Sequence, residues 1–65
     1  MEQSVNANFR YWMEKYNLSH CEVAAMIGIS QATLYNRFRE PEQFRVWEIK
    51  NFADSLGIDY ERMVT

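Results

Sequence analysis

The stretch Leu18-Ser19-His20-Cys21-Glu22-Val23-Ala24-Ala25-Met26-Ile27-Gly28-Ile29-Ser30-Gln31-Ala32-Thr33-Leu34-Tyr35-Asn36-Arg37-Phe38 decides the fold, because it spells two short helices on either side of a glycine. Ser19 can accept from the backbone N–H of Glu22 while the Glu22 carboxylate reaches back to the N–H of Ser19, a capping box. Leu18 before the cap and Val23 on the fourth helical position have the spacing of a hydrophobic staple, so a helix starts at His20. Val23, Ala24 and Ile27 recur on one face, and Gly28 can take the left-handed conformation that closes a helix. The pattern then repeats. Ile29 precedes Ser30 as a second cap, Leu34 takes the staple position, and a second helix starts at Gln31.

Working outward, Val5, Phe9, Trp12, Met13 and Tyr16 fall on one face of a helix running from about Val5 to Tyr16, and Asn17 suits its C-terminal stop. Pro41 disfavours helix at Glu40 and lacks a backbone donor, so the helix begun at Gln31 ends there. A fourth helix from about Val46 to Leu56 places Ile49, Phe52, Ala53 and Leu56 inward and closes on Gly57. Ile58, Asp59 and Met63 repeat the staple offset, which predicts a short last helix from Tyr60. The expectation is an all-α chain of five helices, with no repeat, low-complexity segment or interdomain linker, forming a single domain over residues 1–65 with its helix-turn-helix at about 19–39.

With 65 residues, 48% hydrophobic and 15% aromatic, the chain fits one small domain that buries only about 60% of the surface exposed on unfolding. Aromatic side chains supply much of that burial. One cysteine, Cys21, rules out an internal disulfide and leaves a structural zinc site short of ligands, so no metal is expected and a reducing, cytoplasmic location fits. No apolar run approaches the roughly 20 residues that span a bilayer, and Met1-Glu2-Gln3-Ser4-Val5 lacks the basic and apolar regions of a signal peptide.

The positions Leu18-Ser19, Val23-Ala24, Ile27-Gly28, Ile29-Ser30 and Leu34 resemble the helix-turn-helix of the lambdoid repressor and Cro family of bacterial and phage regulators. Leu56-Gly57-Ile58-Asp59 extends the likeness more loosely. The resemblance implies a compact five-helix, lambda repressor-like DNA-binding domain whose second and third helices form the motif, in a small Cro-like phage or prophage repressor. Two positions depart from the family. Met13 and Phe38 stand where it often has an Arg–Glu ion pair joining the first and third helices, so these two are expected to touch. Arg37 replaces an inward aliphatic residue, and Leu34 with Phe38 is expected to take over the inward face, leaving Arg37 at its edge.

Gln31, Ala32, Tyr35, Asn36 and Arg39 fall within an arc of about 140° opposite Leu34 and Phe38. That arc suits base edges: Gln31 and Asn36 can pair with the N6 and N7 edge of adenine, Arg39 with the O6 and N7 edge of guanine, and Ala32 can pack on a thymine methyl. Tyr35 suits either a phosphate or a thymine methyl. The bland alternative is an ordinary polar helix surface. Ser19 and His20 begin a helix whose N–H groups attract phosphate, and Arg45 and Arg37 are further phosphate-contact candidates. His20 fits a solvated helix-start residue equally well.

Seven Lys and Arg against nine Asp and Glu give a net charge of −2, unusual for a DNA-binding domain. No acid lies between Glu22 and Glu40, however, so a positive face remains compatible with the total. A two-fold homodimer on a near-palindromic double-stranded operator is expected, with half-site centres about 34–36 Å apart. Met26, Trp47, Tyr60 and Val64 are candidates for the contact between copies, which the resemblance places in the C-terminal region; core filling explains each as readily. The competing reading is an acidic helix-turn-helix that binds another protein through Met26, Tyr11 and Trp47. Cys21 with only His20 as an adjacent base makes a poor catalytic pair, so no enzyme activity is expected. No cofactor or small-molecule ligand is expected either.

Overall fold

The computed structural model describes Glu2–Thr65, with side chains from Val5 onward; Met1, the first residue of the expected domain, lies outside the described residues. Five α-helices follow in order, α1 (Glu2–Tyr16), α2 (His20–Ile27), α3 (Gln31–Arg39), α4 (Val46–Leu56) and α5 (Glu61–Val64), with a 3-10 turn at Pro41–Gln43 and no strand among the described residues. α1 begins earlier than its apolar periodicity predicts, because Glu2, Gln3 and Ser4 continue the helix without adding to the hydrophobic pattern. No helix is long and apolar enough to cross a membrane among the described residues.

Three linkers share one construction. Asn17, Gly28 and Gly57 take left-handed φ values of 55°, 94° and 69°, which reverse the chain after α1, α2 and α4. The next residue donates its N–H back to the closing turn: Leu18 to the Met13 carbonyl at 2.8 Å, Ile29 to Ala24 at 3.0 Å and Ile58 to Ala53 at 3.0 Å. These three apolar residues pack against the core, and the residue five positions on, Val23, Leu34 or Met63, is 0% exposed in each case. One apolar side chain thus seals the end of one helix and fixes the entry angle of the next.

The caps vary in strength. Ser19 and Glu22 form the complete box, at 3.1 and 2.8 Å. Ser30 Oγ accepts from Thr33 N–H at 3.1 Å and donates to the Thr33 hydroxyl at 2.9 Å. α5 has no side-chain cap, and it starts at Glu61, one residue later than expected, although Tyr60 already has helical dihedrals of −52° and −40°.

All four phenylalanines meet around Phe9, which is 1% exposed. Its ring lies 4.5 Å from that of Phe52, 4.9 Å from Phe44 and 5.5 Å from Phe38. Val23, Ala24, Ile27, Leu34, Ile49, Ala53 and Met63 complete the centre. The aromatic neighbours of Phe38 are Phe9, Phe44 and His20, and Met13 and Phe38 both line one open groove of about 510 Å³ bounded by α1, the start of α2 and the end of α3. Tyr16 departs from the expected inward face of α1: it is 47% exposed and stacks on Trp12 at 6.0 Å. α5 packs against α1 and places the Arg62 guanidinium 5.2 Å from the Trp12 indole.

Candidate nucleic-acid interface

α3 is anchored from behind by one apolar and two polar attachments. Leu34 is 0% exposed and keys the helix into the core. The Asn6 amide of α1 donates to the Phe38 carbonyl at 2.8 Å, satisfying an acceptor that the end of α3 would otherwise leave open. Arg37 forms a two-pronged ion pair with Glu48 of α4, Nε to Oε1 at 3.0 Å and Nη2 to Oε2 at 3.1 Å. The preceding helix is tied to the same scaffold, since the Asn51 amide of α4 donates to the Ile27 carbonyl at 2.9 Å.

The Arg37 pair gives this residue a role that the sequence reading did not assign. Arg37 was expected among the phosphate contacts, yet its planar fork is committed to α4, with 19% of the side chain exposed against 1% for Glu48. Glu48 also accepts from the Arg45 N–H at 2.9 Å, so a single carboxylate both starts α4 and fastens α3 to it. Burial works against the charged carboxyl, but the Arg37 hydrogen bonds, the Arg45 N–H and the positive charges of Arg37 and Arg45 outweigh it, holding Glu48 below the ordinary carboxylate range. The Glu48 hydrogen bond raises Arg37 in turn, despite the opposing effect of burial. The ion pair thus joins α3 to α4, whereas Met13 of α1 and Phe38 of α3 are both apolar.

With α3 held in this way, Gln31, Ala32, Tyr35, Asn36 and Arg39 all lie exposed. Arg39 Nη2 donates to Asn36 Oδ1 at 2.7 Å, which aligns the two side chains on adjacent turns. The amide oxygen keeps a second lone pair and the amide nitrogen both donors, so Asn36 retains the groups needed for an adenine edge. Ser19 is exposed with its oxygen engaged by the Glu22 N–H, and its hydroxyl proton remains free to donate. His20 is half-buried and stacks on Tyr35, with ring centroids 4.9 Å apart and planes at 19°. Arg45 is exposed at the start of α4. Of the four residues considered for a contact between copies, Met26, Tyr60 and Val64 pack against the core, whereas Trp47 stays 49% exposed.

Glu48 went unnoticed in the sequence. Its signal was the Arg45-x-x-Glu48 spacing, half of a capping box, which suggests a helix start but not a salt-bridge partner. Asn6 and Asn51 carry no local signal, because each bonds a carbonyl remote in sequence. Comparison with protein-family models, curated proteins and solved structures finds no match to this chain.

Proposed function

We propose that this chain is a sequence-specific double-stranded-DNA-binding regulator of the lambda repressor-like helix-turn-helix type, with α3 entering the major groove. The observation that carries the reading is the exposed face Gln31, Ala32, Tyr35, Asn36 and Arg39 on a helix whose opposite side is fixed by Leu34, the Asn6 bond and the Arg37–Glu48 pair. A rigid mount supports base reading because side chains must meet base edges without a large ordering cost. Gln31 and Asn36 serve adenine, Arg39 guanine, and Ala32 a thymine methyl. Ser19, His20 and Arg45 flank this face as backbone contacts, and Arg37 acts inside the protein instead. As a Cro-like repressor, the chain would occupy a near-palindromic operator as a homodimer and exclude competing proteins, without a cofactor.

Neutralisation of Arg37 by Glu48 leaves few cations for phosphates. Each neutralised phosphate contributes about 0.9 to the slope of log affinity against log salt, so a shallow slope of roughly −2 to −4 is expected, with base contacts supplying much of the discrimination. Selection from a random duplex library at low salt, followed by affinity against salt for the selected sequence, tests the proposal. A palindrome with half-sites one turn apart supports it. A folded protein that enriches no sequence refutes it and favours the second reading, a protein-binding module, to which the exposed Tyr11, Val46 and Trp47 lend support.

A further inference from the structure

Four aromatic rings run in unbroken contact from the centre of the core to the exposed face of α3. Phe9, 1% exposed, meets Phe38 edge to face with centroids 5.5 Å apart and planes at 72°. Phe38 meets His20 at 5.7 Å and 81°, and His20 lies nearly parallel to Tyr35 at 4.9 Å and 19°. Tyr35, at the end of the series, is 50% exposed. The capping box fixes the backbone at the start of α2, and the Phe38 ring, 5.7 Å away and nearly perpendicular, limits how far the imidazole can turn. The imidazole therefore gives the Tyr35 ring a firm support on one side, where an isolated surface tyrosine would exchange among rotamers.

We propose that His20 is a positioning residue for base recognition: its stack holds the Tyr35 ring in one attitude on the α3 face, where that ring packs against the 5-methyl group of a thymine. The inference rests on the DNA-reading role proposed above and deepens it. Tyr35 lies one turn from Ala32, so the two make a small apolar strip between Gln31 on one side and Asn36 on the other, with Arg39 one turn beyond Tyr35 along the helix. A thymine methyl is the apolar feature that the major groove offers to such a strip. A ring already held in place loses less rotamer freedom on binding than a mobile one.

The test replaces each thymine of one selected half-site by uracil, which removes only the methyl group. One replacement should weaken wild-type binding about fourfold, the worth of one buried methyl group, and should have no effect on Tyr35→Ala. His20→Ala, verified as folded by circular dichroism, should reduce that penalty to under about twofold, and His20→Phe, which keeps a stacking ring, should restore it. In the free protein, the ring protons of Tyr35 should lose their stacking-induced NMR shift in His20→Ala and retain one in His20→Phe. The inference is overturned if His20→Ala keeps the full uracil penalty, or if no thymine methyl is sensed through Tyr35 although a duplex is selected. Failure to select any duplex overturns the DNA-reading role and this inference together; selection of a duplex in which every uracil penalty is independent of His20 and Tyr35 overturns the inference alone.

Discussion

Replacing Arg37 by methionine should destabilise the protein more than replacing its partner Glu48 by glutamine, although the two changes break the same ion pair. In Arg37→Met a carboxylate that is 1% exposed loses both guanidinium hydrogen bonds and keeps only the Arg45 N–H. Breaking a buried pair in this way costs about 3–5 kcal/mol; the 19% exposure of the Arg37 side chain admits some solvent, so about 2–4 kcal/mol is expected. Glu48→Gln preserves shape and an oxygen for the Arg45 N–H, and the guanidinium left behind can reach water, so about 1–2 kcal/mol is expected. A domain of 65 residues has only about 3–10 kcal/mol of stability in all, and each kcal/mol shifts Tm by about 4–8 °C. Arg37→Met should therefore melt at least about 8 °C below the wild type. The double variant Arg37→Met/Glu48→Leu should recover most of the Arg37→Met loss, because apolar packing removes the stranded charge. Urea unfolding at pH 7, followed by circular dichroism and tryptophan fluorescence, measures all three. An Arg37→Met cost no greater than that of Glu48→Gln, or a double-variant cost no smaller than that of Arg37→Met alone, would refute the reasoning.

The same pair sets an acid dependence. Since the folded-state pKa of Glu48 is lowered, its contribution is complete above the unfolded carboxylate value of about 4.3 and is lost as pH falls through the lower folded value; the urea midpoint of wild type should fall more than that of Glu48→Gln between pH 7 and pH 2.5. Gly28→Ala should cost about 1 kcal/mol by urea unfolding even though an added Cβ meets nothing within 4 Å, because φ is +94°. Asn17→Gly, at φ 55°, should gain a few tenths of a kcal/mol or more by the same measurement. In binding assays on a selected duplex, Arg39→Ala should relax preference at one base position of each half-site by about 1–3 kcal/mol, whereas Arg45→Ala should weaken all sequences alike and make the homodimer's salt slope shallower by about 1.8, about 0.9 for each copy.

The chain's own sequence determined its helices. Ser19 with Glu22, Ser30 with Thr33, and the closing residues Asn17, Gly28 and Gly57 act within five positions of themselves, over distances fixed by helical geometry, so their meaning could be read without knowing the fold. The exposed face of α3 was legible for the same reason: the helical period sets which side chains share a side. How that face is mounted depended on tertiary structure. Asn6 reaches Phe38 across 32 positions, Asn51 reaches Ile27 across 24 and Arg37 reaches Glu48 across 11. No periodicity specifies such pairs, because they exist only where packing brings two helices together. Arg37 shows the difference most clearly, since a cation on the edge of a helix suits a phosphate until the folded chain places a buried carboxylate beside it. His20 and Tyr35 likewise stand apart in sequence, and their stack arises only because packing sets the first residue of α2 against the side of α3.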